Sequence, residues 1–162
     1  MKSSDLLISN RDGIYTIKVS GRANFEYAVP MRDIAKNSVA IRGVKIDLGD
    51  CVAMDSTFMG VLTMLALAAR RSNAAVELLN ASDVLQKLLQ GLGVKRLFVF
   101  KNGSVASGGS GTGMSSMLKT AETVAEAHKT LVQADQLNAD RFADVIRFAD
   151  EDVKKLREKD AE

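Results

Sequence analysis

The chain has no tryptophan, and one proline, one cysteine and one histidine among its 162 residues; aromatic side chains make up only 5%. A lone cysteine, Cys51, excludes an internal disulfide and suits a reducing compartment. One Cys and one His supply no cluster of metal ligands, and the carboxylates are scattered, so no metal and no cofactor is expected. Few aromatics leave no base-stacking platform, and Lys and Arg are interleaved with acids at a net charge of only +2. Nucleic acid is therefore not an expected partner. The longest apolar stretch, Val61 to Ala69, contains Thr63 and runs into Arg70-Arg71. It falls far short of the ~20 residues a spanning helix needs. Met1-Lys2-Ser3-Ser4-Asp5 leads into only three apolar residues, so neither a signal peptide nor membrane insertion is expected, and the location reads as cytoplasmic.

What the chain does have is 46% hydrophobic residues, enough for one ordinary core and an appended element. Leu6 to Ser9, the turn Asn10-Arg11-Asp12-Gly13, and Ile14 to Ser20 read as strand, turn, strand, because Tyr15, Ile17 and Val19 alternate with more polar neighbours. Phe25 to about Ala40 reads as a helix with Asn24 as N-cap; Pro30 inside it suggests a real start near there. Val44 to Leu48 is a third strand, and Ser56 or Thr57 to Arg71 the longest helix of the main domain. Ala74 to Leu79 is a strand, Ala81 to Gln90 a helix stopped by Gly91-Leu92-Gly93, and Leu97 to Phe100 a short last strand. Strands alternating with helices after an opening hairpin predict an α/β domain, a mixed sheet with helices packed on it.

Residues 102–113 hold five glycines and three serines and read as a flexible linker. They lack the Gly-Lys-Ser/Thr ending of a phosphate loop and the glycine spacing of a dinucleotide fingerprint. Residues 1–101 then form the main domain and residues 114–162 a helical C-terminal tail. In that tail Leu118, Ala121, Val124, Ala125, His128, Leu131 and Val132 share one face. Phe142, Val145, Ile146, Ala149, Val153 and Leu156 form a second stripe after a break near Asn138. Residues 115–162 carry eight basic and eleven acidic side chains, net −3, whereas residues 1–114 carry net +5. Opposite signs favour docking of the tail on its own domain or a neighbour's.

Catalysis finds little support. Cys51 as a nucleophile would need a base, and His128, on an apolar face of the tail, reads as a packed residue. No catalytic residue is assigned, and the chain is not expected to be an enzyme. Asp47, Asp50 and Asp55 are the only acids grouped in the main domain; Asp55 before Ser56 is explained by helix capping. The same position puts the Ser56 hydroxyl where a helix presents unpaired N–H groups and the positive end of its dipole, a place suited to a phosphate. Local physics leaves both a silent cap and a modified hydroxyl open.

Val44-Lys45-Ile46-Asp47-Leu48, a loop, Met54-Asp55-Ser56-Thr57 and Gly60-Val61-Leu62 resemble the signature of the STAS family, the anti-sigma factor antagonists and related domains of sulfate transporters. The resemblance extends to Gly21-Arg22, to Val76-Glu77-Leu78-Leu79-Asn80-Ala81 and to Leu88 through Leu97-Phe98, about residues 4 to 101 in all. It implies a STAS-like mixed sheet with helices on one face. It also implies that Ser56 accepts phosphate from a serine kinase that is itself an anti-sigma factor, with a phosphatase resetting the cycle. Thr57 ranks second as a hydroxyl. Asp55, Thr57, Phe58, Met59 and Asn24 are the implied partner-binding residues. Here the chain departs from the family: Phe58 and Met59 stand where many antagonists have small residues, and Asn24 where some have an acid. The two large residues are either an exposed anchor for a partner, or one of them packs under the sheet. The alternative function is a STAS scaffold without phosphorylation, or an accessory subunit of a signalling complex or membrane lipid transporter.

Overall fold

The opening hairpin is tighter than its sequence suggests. β1 (Asp5–Arg11) pairs antiparallel with β2 (Ile14–Ala23) up to Arg11 opposite Ile14, leaving only Asp12-Gly13 as the turn. Both carry positive φ, 54° and 86°, the geometry that lets a two-residue turn follow the right-handed strand twist. The computed structural model describes residues 5–37, 40–104, 110–111 and 116–161. The expected N-terminal segment 1–4 and most of the expected linker lie outside the described residues.

α1 (Phe25–Asn37), β3 (Gly43–Met54), α2 (Ser56–Arg71), β4 (Val76–Leu79), α3 (Asp83–Gly91), a 3₁₀ turn (Lys95–Leu97) and β5 (Val99–Lys101) follow in order. A two-residue β6 (Ser110–Gly111), from within the segment read as linker, pairs antiparallel with β1. The sheet order is β5-β4-β3-β2-β1-β6, and β2 through β5 are parallel neighbours. Three successive crossovers step in one direction along the sheet, and the right-handed connection usual for parallel strands puts α1, α2 and α3 on one face. Their inner sides meet Ile17, Val19, Val44, Ile46, Leu48, Val76 and Leu78, all buried, in one core.

Three local readings need correction. β3 does not stop at Leu48: Asp50, Cys51, Ala53 and Met54 stay paired with β2 through two register shifts, so the polar stretch read as a loop is bulged strand. The sequence hid this because its period of two breaks at the bulges. α1 starts at Phe25, with Asn24 accepting from the Glu26 amide at 2.9 Å, so Pro30 sits in the second turn and not the first. The carbonyl it leaves without a donor belongs to exposed Glu26, within reach of water. The last strand lies at Val99–Lys101, since Lys95–Leu97 winds into a 3₁₀ turn.

The tail forms α4 (Met117–Ala134) and α5 (Asn138–Asp160). Ser116 caps α4 by accepting from the Lys119 amide at 3.1 Å. α4 lies against α1 and α2 and carries α5 on its other side. Being covered twice, it buries Thr123 and Ala127 as well as the expected Ala125, His128 and Leu131. Buried Asn138 pins its far end, donating to the carbonyls of Leu92 and Leu131 at 2.9 Å each.

Candidate functional site

The site forms where β3 ends and α2 begins. Asp55 is the N-cap of α2: its carboxylate accepts from the Phe58 amide at 2.7 Å, while its own amide bonds the carbonyl of Ala23 at the end of β2. Capping thus fixes the first turn, and Ser56 follows as the first helical residue, half-buried. Burial raises the pKa of Asp55, against the opposing effect of the amides of Phe58, Phe25 and Thr57 and of the nearby His128.

From there the 3.6-residue period decides which residue faces which layer. Phe58, Leu62, Leu65 and Ala69 turn inward to the sheet, and Phe58 is 0% exposed. Ser56, Gly60 and Thr63 share the opposite stripe, toward α4. Of the two expectations for Phe58 and Met59, the exposed anchor is not observed. Both are buried, as is Thr57, so these three present no free surface in this state. Of the other residues implied as partner-binding, Asp55 and Asn24 are half-buried.

His128 arrives from α4, 72 residues away, and its Nε2 stands 2.7 Å from Ser56 Oγ. Its Nδ1 is 2.7 Å from the carbonyl of Val124. A carbonyl only accepts, so Nδ1 carries the hydrogen and Nε2 takes the hydrogen bond that the Ser56 hydroxyl donates. The ring also meets Phe142 of α5 edge-on, centroids 4.8 Å apart. At 2% exposure, burial lowers its pKa, with the Val124 carbonyl and Asp55 pulling the other way, and the imidazole is held neutral. His128 is therefore a packed residue, as its apolar face suggested, and also the partner of the candidate hydroxyl.

Two further contacts seat α4 here. A Cβ built on Gly60 would lie 2.4 Å from the Ala127 carbonyl oxygen, so only glycine permits this approach. From α1, Arg32 is 6% exposed and grips Glu126 with two hydrogen bonds, of 2.7 and 3.1 Å. Glu122 lies 3.6 Å from the same guanidinium, and Lys36 reaches Glu126 at 2.9 Å. Burial alone raises the Glu126 pKa, but the bonds from Arg32 and Lys36 outweigh it and hold the carboxyl below its ordinary value. Glu126, Ala127 and His128, consecutive on α4, thus engage Arg32, Gly60 and Ser56.

Stability is expected to follow the His128 ring. Its pKa is lower folded than unfolded, so as pH falls from about 6.5 the unfolded chain takes up the proton first and stability is lost. Urea midpoints between pH 7.5 and pH 5.5 should fall for the native chain and less steeply for His128→Gln. Equal slopes for the two would show that the ring does not titrate differently on folding.

The remaining chemistry is spent structurally. Cys51 is buried with its thiol 3.3 Å from the Ala53 carbonyl, and burial raises its pKa, the reverse of an activated nucleophile. Asp47 binds the amides of Gly49 and of the Asn80 side chain, at 2.9 and 3.1 Å, and Asp50 faces Lys18 at 3.7 Å. Among the described residues no group of three or more His, Cys, Asp or Glu is placed to hold a metal ion. Also among them, no helix is long and apolar enough to cross a membrane.

Comparison with known proteins bears on this arrangement. The family profile described as "Mlab, STAS domain" matches residues 8–99. The anti-sigma factor antagonist SpoIIAA, in its unphosphorylated form, superposes with a TM-score of 0.51 at 13% identity, over 62% of this chain and 89% of that one. A Thermotoga maritima protein assigned as an anti-sigma factor antagonist does so with a TM-score of 0.51 at 14% identity, over 60% of this chain and 86% of the other. Such identities speak to the fold alone. No curated protein matches the sequence. The family match ends before α4, so the helix that brings His128 to Ser56 lies outside it.

Proposed function

This chain belongs to the STAS domain family, and we propose that it is a phosphoregulated protein-binding switch of the anti-sigma factor antagonist type, with Ser56 as its phosphoacceptor. The observation that carries the reading is the position of Ser56. It is the first residue of α2, directly after an aspartate whose carboxylate fixes the helix start. A phosphate there is favoured by the helix dipole and by the amides of the first turn, yet it adds about two negative charges beside the Asp55 carboxylate. A partner that packs against the unmodified hydroxyl is repelled by the modified one. Binding rather than catalysis is the output, and the partners are a serine kinase that is also an anti-sigma factor, and a phosphatase, in the cytoplasm. Thr57, more deeply buried than Ser56, is the lesser acceptor.

The test is intact-mass analysis after incubation with ATP and an extract of the source cells. The native chain is expected to gain one phosphate and Ser56→Ala none. A Ser56→Ala chain that gains phosphate equally would exclude Ser56 as the acceptor.

A second reading has an observation of its own. Ser56 is already engaged by His128, so its hydroxyl serves the internal structure. On that reading the domain is an unmodified scaffold or accessory subunit, and neither chain gains mass.

A further inference from the structure

The α2 face that carries Ser56 is occupied, and the occupant is part of the same chain. Three consecutive residues of α4 seat it there: Ala127 meets the glycine notch at Gly60 and His128 the Ser56 hydroxyl, while Glu126 binds the buried Arg32 of α1. The sign of the charge is matched as well, a tail of net −3 on a body of net +5. The family match is complete at residue 99, and α4 starts at Met117, beyond a segment rich in Gly and Ser. The cover is thus an addition to the matched domain.

We propose that α4 is an intramolecular cover of the Ser56 face, and that its docking and a negative charge on residue 56 exclude each other. With Oγ already 2.7 Å from Nε2, a phosphate has no space between α2 and α4. It would also stand next to the Asp55 carboxylate, against a ring whose Nδ1 hydrogen is committed to the Val124 carbonyl. Lifting α4 relieves both the crowding and the repulsion, because water then reaches the new charge. By linkage, docking of α4 disfavours the modified form by the same free energy with which modification disfavours docking. The modified form is then the open one, and a partner of the unmodified form must displace α4. Its competing segment is expected to carry what α4 carries: a small residue opposite Gly60 and a carboxylate opposite Arg32.

This rests on the reading of Ser56 as a phosphoacceptor, but it can be tested without a kinase. Thr63, fully buried on the stripe of Ser56 and Gly60, is replaced by cysteine in the full chain; Cys51, buried in the core, stays as reference. Alkylation of both thiols by iodoacetamide under native conditions is followed by peptide mass mapping. Ser56→Glu is expected to speed labelling at position 63 by about ten-fold or more, with Cys51 unchanged, as befits local opening. Ser56→Ala should change neither. Glu126→Arg, which reverses the charge held by Arg32 and Lys36, should expose position 63 in the same way. The inference is overturned if position 63 stays hidden in Ser56→Glu, or if both thiols open together there. It is equally overturned if Glu126→Arg leaves position 63 hidden or opens both. Selective opening without any phosphate on the native chain would retain the cover and remove the phosphoacceptor; a phosphate with no opening would do the reverse.

Discussion

Phe58→Ala is expected to destabilise the protein by about 3–5 kcal/mol, the usual cost of emptying a large aromatic site in a close-packed core. Phe58 is 0% exposed, on the side of α2 that faces the sheet, one helical turn before Leu62 and two before Leu65. Asp55 holds its amide at 2.7 Å, so the start of the helix cannot slide to close the cavity. Equilibrium urea unfolding should show a lower midpoint with little change in slope. A loss below about 1 kcal/mol would instead mark Phe58 as a surface residue.

Gly60→Ala has the second largest expected effect, and its sign runs against helix propensity. In the interior of an exposed helix the change would stabilise by about 1 kcal/mol. Here the new methyl would lie 2.4 Å from the Ala127 carbonyl oxygen, 2.6 Å from its carbon and 2.7 Å from its Cβ. Two of these atoms are backbone and cannot rotate aside, so α4 must shift as a unit. Overpacking of this kind costs about 1–3 kcal/mol, and the rigidity of the contact puts it toward the upper end. A net fall in the thermal midpoint of several degrees is expected. A rise would mean that α4 is not seated on Gly60.

Residues differ in how far their roles could be read from the sequence, for physical reasons. The run Val44 to Leu48, the Asp-Ser-Thr step and the long apolar helix are local signals, and each falls in the kind of element it predicts, although β3 runs on to Met54. The N-cap at Asp55 is equally local, as are the apolar stripes of the tail. The bulged end of β3 was hidden because pairing across two register shifts depends on the neighbouring strand, not on periodicity. The Ser56–His128 contact was hidden more completely. It joins residues 72 apart, and an apolar helix face gives no sign of the hydroxyl it meets. One clue was present: a tail and body of opposite net charge, which pointed to docking but not to the face. Gly60 was another, since an interior helix glycine often marks close approach of a second backbone.

The most direct measurement is phosphopeptide mapping of the 162-residue chain after incubation with ATP and an extract of the source cells. The expected result is a single phosphate on the peptide carrying Asp55-Ser56-Thr57, localised to Ser56 and absent from Ser56→Ala. A chain that gains no phosphate, or one that carries it at another residue, would contradict a switch at the start of α2.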